Sequence, residues 1–391
     1  MFVPEETKLA TVSASKDRLH HFDAARALFM LLGIPFHAAL AYVPSGHWLV
    51  HSGQTSAFLG MVAFVTQSFR MPGFFLIAGF FSAFLLARRA RGLWLQARLT
   101  RLGLPLLTAG LLLLPLQRAM LAYAQNGHVI GWQIFTLPWP HPLDYLWFLP
   151  CMMMLCVLLA LSWPTLCRLI DSRAMQRFLA LPLIWPILGL LAGLWLVGMH
   201  LYALLFGAQP VFAMGFIHVE ELLGNLPWFV AGILCQRSAD VRASLERFQP
   251  INLAIGVAAL IGYAMLEGSD SRVATASLEV LSGIAALCLV SSLFALLTRW
   301  AARPSPFVRK WVDASFTVYL FHHPIILALT LLSVANAVPP LIGWIGVSAA
   351  ALALSFAMHQ LISRSAVALW LFNGIPFETP ARRGVLADKP G

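Results

Sequence analysis

Residues 26–42 read RALFMLLGIPFHAALAY, with Arg26 at the mouth of an apolar run and His37 in its middle. At 1.5 Å per helical residue, the imidazole lies roughly 16 Å beyond the guanidinium, near the centre of a hydrocarbon layer about 30 Å thick. An ionisable side chain at that depth is costly and marks a functional position. The apolar run predicts a membrane-spanning helix, so the fold turns on whether such runs recur.

They do recur. Spanning-length apolar stretches fall near 24–43, 58–87, 102–123, 145–163, 178–198, 221–236, 250–266, 276–298, 313–333 and 341–362. Hydrophobic residues make up 60% of the 391, charged residues 11%, and the mean hydropathy is +0.79, which excludes an ordinary soluble domain. The expected fold is all-α and polytopic, with about ten transmembrane helices and both termini cytoplasmic. Gaps between the stretches are too short for a separate soluble domain. The expected organisation is a cytoplasmic arm over 1–21, a transmembrane domain over 22–375 and a cytoplasmic tail over 376–391. The arm lacks a small-residue cleavage pattern, so the first helix is expected to stay attached.

The net charge of +10 is a topology signal. With the N-terminus inside and ten alternating spans, 23 of the 26 Lys/Arg fall in or beside inside segments. Arg70 lies within a span, Arg118 near the outer end of one, and Arg272 in an outside loop. This is the positive-inside pattern. It implies contact with anionic membrane lipids and argues against a nucleic-acid partner. The five cysteines fall in or beside apolar stretches without metal-ligand spacing, so they are expected to be packing residues and no metal site is expected.

Several further residues can carry chemistry. Burial disfavours an imidazolium, so His37 suits a general base, with plain interhelical hydrogen bonding as the alternative. The second span carries Arg70-Met-Pro72-Gly73, which predicts a kink near Arg70 in the outer half of the bilayer. That cation needs a carboxylate such as Glu220 or Glu221, a water-filled cavity, or an anionic ligand. Arg98-x-x-Arg101 places two guanidiniums on one helical face at the inside boundary, where they can bind phosphates or simply mark topology. The ninth span carries Tyr319-Leu-Phe-His322-His323-Pro324, and His322 reaches a depth similar to His37, which suggests a shared polar cavity. The outer loops hold His47, Trp48, His51, His128, Trp132, Trp139, His141, Asp144, His200 and His218, an aromatic belt or a sugar-stacking surface.

FDAARALFMLLGIPFH, SFRMPGFFLIAGFFS, ARLTRLGLP, LWFL at 146–149 and DASFTVYLFHHP together resemble the membrane acyltransferase-3 family. The likeness spans residues 20 to 375 and is strongest to the branch that acts on osmoregulated periplasmic glucans. It implies transfer of an acyl group from cytosolic acyl-coenzyme A to a hydroxyl of an extracytoplasmic saccharide. His37 matches the motif histidine and would be the catalytic base. Arg26, Arg98 and Arg101 match basic positions placed near the coenzyme phosphates. Arg70, His322, His323, Tyr145 and Trp147 fall in motifs lining the substrate cavity. The glucan branch tends to have His where this chain has Tyr145, and a phenol is a far poorer base near neutral pH. That puts a proton-transfer role at this position in doubt.

The resulting expectation is a multi-pass O-acyltransferase of the bacterial inner membrane. Succinyl-coenzyme A would be its donor substrate, with no permanently bound cofactor. Periplasmic glucan would be its acceptor and the glucan-synthesis machinery a partner. Acetylation of another envelope polysaccharide and a proton-coupled transporter using His37 and His322 are the alternatives. No inverted hydropathy repeat supports the transporter.

Overall fold

The computed structural model describes residues 20–44, 48–127, 143–207, 211–212, 217–269, 271–301, 303 and 305–375. The arm up to residue 19, the tail 376–391, and His47, His128, Trp132, Trp139 and His141 lie outside the described residues. The helices are α1 His20–Leu31, α2 Gly33–Leu40, α3 Ala57–Leu86, α4 Arg91–Asn126, α5 Phe148–Ile170, α6 Arg173–Leu179 and α7 Ile184–Phe206. They continue with α8 Val219–Arg237, α9 Ala239–Glu246, α10 Pro250–Leu266, α11 Arg272–Trp300, α12 Pro306–Ala335, α13 Pro340–Ile362 and α14 Ala366–Asn373. A 3-10 turn, Asp144–Trp147, leads into α5. A two-residue antiparallel ladder, Val211–Phe212 with Ile217–His218, completes this helical protein.

The helix starts follow local chemistry. The hydroxyls of Ser56, Ser172, Ser238, Ser305 and Ser365 accept from the backbone N–H three residues on. Pro250, Pro306 and Pro340 open α10, α12 and α13, where a missing N–H costs nothing. The first span breaks into α1 and α2 because Pro35 offers no donor to the Leu31 carbonyl.

Among the described residues, eight helical segments are long and apolar enough to cross a membrane: α1 with α2, α3, α4, the 3-10 turn with α5, α7, α11, α12 and α13. The pair α9 and α10, bent by 78°, raises the number to nine. The remaining expected span, 221–236, is α8. It is 19 residues long but carries Glu220, Glu221, Asn225, Gln236 and Arg237, which dilute its apolar character. Its place is interior. A Cβ at Gly79 of α3 would collide with the Phe229 carbonyl of α8, and one at Gly232 of α8 with the Leu76 carbonyl, so the two backbones touch. Small residues allow such contact where no hydrophobic drive separates helices from lipid.

The second span runs unbroken through Pro72. Gly73 makes room for a neighbour, since the Phe29 ring of α1 occupies the space its side chain would need. The helix of the third span, α4, begins at Arg91, ahead of the apolar stretch 102–123, so Arg98 and Arg101 share one continuous helix with it. Phe22 stacks on Phe80 at 3.9 Å and meets Phe294 edge-on at 4.6 Å, tying α1 to α3 and α11. All five cysteines are free, four of them buried, as packing residues would be.

Candidate active site

Three imidazoles share one layer. His37 on α2 has its ring centroid 5.5 Å from that of His322 and 4.9 Å from that of His323, both on α12. His37 Nδ1 is enclosed and makes no hydrogen bond. His322 Nδ1 lies 2.7 Å from the Tyr319 carbonyl, which can only accept. His322 is therefore protonated at Nδ1, and its Nε2 carries the lone pair.

Pro324 organises the same turn of α12. It has no N–H for the Leu320 carbonyl, which would be left unpaired in an apolar interior. The Tyr145 hydroxyl donates to that carbonyl at 2.7 Å, and the Tyr319 hydroxyl donates to the Tyr145 carbonyl at 3.0 Å. The Tyr145 ring stacks on His323 at 4.7 Å and 11°. Its hydroxyl is thus committed to backbone, and the residue is a wall of the site.

A cavity of about 80 Å³ lies against this layer, lined by His37, Arg70, Tyr145, Trp147, Tyr319 and His322 together with Phe29, Met30, Met71, Phe74 and Phe148. Five sequence-predicted site residues therefore meet at one void. His323 lies beside it, behind the rings of His37 and Tyr145. The Arg70 side chain reaches this layer. Its guanidinium lies over the Phe36 ring at 4.6 Å, and a Cβ on Gly33 would sit 3.5 Å from both Arg70 Nη1 and His322 Nε2. Its Nε is buried without a hydrogen bond, and among the described residues no carboxylate pairs with it, so the expected Glu220 or Glu221 partner is not used.

Sequence reasoning missed one residue and undervalued two others. Gln117, fully buried on α4, offers Oε1 to His323 Nδ1 at 2.9 Å and donates its amide N–H to Asp144 Oδ2. A lone glutamine in the apolar run LLLLPLQRAM was the available signal. Asp144, read as a loop residue, adopts a left-handed φ of 45°, uncommon outside glycine. Trp48, read as part of an aromatic belt or a sugar-stacking surface, lies edge-on to His323 at 5.9 Å.

The other predicted cations gather elsewhere. Arg98 has Arg101, Arg26 and Arg89 as charged neighbours, and its guanidinium lies over the Trp94 ring at 5.9 Å. Arg26 is 4.0 Å from Asp23 and stands over Phe81 at 5.7 Å. The α1–α2 span therefore connects a cluster of four arginines at one end to the imidazole layer in the middle. Among the described residues, no group of three or more His, Cys, Asp or Glu could hold a metal ion.

The acyltransferase domain family acyltransferase-3 matches residues 19–360. The chain belongs to this family. It is a multi-pass membrane acyltransferase. It is 27% identical over 377 residues to the glucans biosynthesis protein C of Escherichia coli O81 (strain ED1a) and to that of Escherichia coli (strain K12). In each case 92% of this chain and 95% of the relative are covered. No solved structure matches the chain.

Proposed function

We propose that the protein moves a succinyl group from cytosolic succinyl-coenzyme A to a hydroxyl of a periplasmic glucan across the bacterial inner membrane. The observation that carries this reading is Arg70, a buried guanidinium without a carboxylate partner among the described residues, lining the cavity that His37 also lines. A buried cation is stable only when an anion or hydrogen-bond acceptors offset its lost hydration. A succinyl thioester supplies one, because its free carboxylate lies three carbon–carbon bonds from the reacting carbonyl. Acetyl offers no such group.

The chemistry then follows from the layer. His37 takes the proton of the glucan hydroxyl, whose oxygen attacks the thioester carbonyl. The carbon–sulfur bond breaks, and the proton leaves with the coenzyme thiolate, so no net proton is consumed. A positioned general base contributes about 10²–10⁴-fold. Arg26, Arg98 and Arg101 would hold the coenzyme phosphates, as planar cations suit them. Names of the relatives support the glucan acceptor, and the strong Lys/Arg asymmetry supports an Arg98 end facing the cytosol.

Mass spectrometry of periplasmic glucans from cells with and without the protein tests the reading. Gain of succinyl on glucan in cells carrying it is expected. Unchanged glucans, or acetyl gained in place of succinyl, would overturn the assignment of donor and acceptor.

A further inference from the structure

The imidazole layer contains a hydrogen-bonded chain that acyl transfer by His37 does not itself require. An ionised carboxylate only accepts, so the Gln117 atom facing Asp144 is the amide nitrogen and the one facing His323 is the carbonyl oxygen. That oxygen can only accept, so His323 Nδ1 carries the proton, and in the neutral ring Nε2 is bare. Asp144 thus settles the orientation of Gln117, and Gln117 settles the tautomer of His323.

Three features show that the chain is built. Gln117 is fully buried and His323 is 2% exposed, so neither amide nor ring can trade its partner for water. Asp144 keeps an unfavourable backbone conformation while its carboxylate meets Gln117, lies 3.7 Å from His323 Nδ1 and faces the charge of Arg118. The His323 ring is clamped by Tyr145 stacked on one side and by the His37 ring standing at 81° to it. Three separate elements, α4, the 3-10 turn and α12, are needed to bring the chain together.

We propose that Asp144 and Gln117 are positioning residues for acyl transfer, fixing His323 as the Nδ1–H tautomer so that its ring holds His37 in one orientation beside the cavity. This rests on the reading of His37 as base. The chain has the logic of a carboxylate that orients a catalytic imidazole, with one amide inserted as a relay. Its loss lowers turnover and leaves donor binding alone, since none of its members lies in the Arg98 cluster.

A double-mutant cycle tests the proposal on purified full-length protein in detergent, assayed with radiolabelled succinyl-coenzyme A and purified periplasmic glucan. Gln117→Met should lower kcat about five- to tenfold, the worth of one buried hydrogen bond, with the donor KM unchanged. Gln117→Glu keeps an acceptor for His323 and, when protonated, a donor for Asp144, and should recover most of the loss. His323→Phe keeps the ring and removes its nitrogens, so Gln117→Met in that background should cost nothing more. If Gln117→Met fails to fold, Asp144→Asn replaces it in the same cycle with the same expectation. Additive losses would overturn the proposal.

An independent readout is the ¹⁵N spectrum of histidine-labelled protein, with His323 assigned by its absence in His323→Phe. A protonated Nδ1 and bare Nε2 are expected, altered in Gln117→Met. An Nε2–H tautomer would overturn the proposal whatever the kinetics. Full transfer by His37→Ala would instead sink the base assignment and leave the tautomer measurement standing.

Discussion

The middle of the bundle and its Arg98 end are built in opposite ways. In the middle, Tyr145, Tyr319, His322, His323 and Gln117 each have a specific acceptor or donor from backbone or side chain. At the end, Arg98 rests on the face of Trp94 and Arg26 on that of Phe81, with neighbouring charges of the same sign. The first arrangement fixes atoms to fractions of an ångström, as a reaction demands. The second concentrates positive charge at one end of the bundle, as capture of a charged ligand demands. Arg70 combines the two, a single cation set within the ordered layer.

The contrast can be broken or sharpened by substitution. His37→Ala should reduce acyl transfer by about 10²–10⁴-fold while expression and thermal stability stay near wild type; substantial turnover would remove the middle's claim to the chemistry. Arg70→Met should cost about ten- to a hundredfold with succinyl-coenzyme A, the worth of a charge-assisted hydrogen bond, and much less with acetyl-coenzyme A. Equal losses with both donors would make Arg70 structural. Arg98→Ala and Arg101→Ala should each raise the donor KM up to about fivefold, the range of partly exposed ion pairs, and the wild-type KM should rise with salt. A pure loss of kcat there would erase the difference between the two regions. Tyr145→Phe should change turnover least and lower stability by about 1–3 kcal/mol, the cost of stranding a buried carbonyl, read as a fall in the melting midpoint.

The helical fold was legible because lipid solvent imposes one rule, long apolar runs, and Lys/Arg placement supports an orientation. The meeting of His37 with His322 was legible too, since both positions are fixed by rise per residue along single helices. Gln117 and Asp144 were not, because their roles depend on three elements converging, and no spacing within one helix encodes that. The neighbours of the Arg70 guanidinium were not legible for a related reason. Counting along α3 locates its Cα, whereas the long side chain reaches the Phe36 ring and the space beside Gly33. Gly73 reads as a hinge in isolation and as a slot once Phe29 is seen in it.

The proline after the paired histidines has a consequence for residue 145. By withholding one hydrogen from the Leu320 oxygen, it creates a vacancy that any neighbour able to lend a hydrogen can fill. A phenol and an imidazole are interchangeable for that task, whatever their basicity. The tyrosine of this chain, and the histidine that the family resemblance leads one to expect there, would then be two answers to a demand set by Pro324, four residues beyond Leu320 on α12.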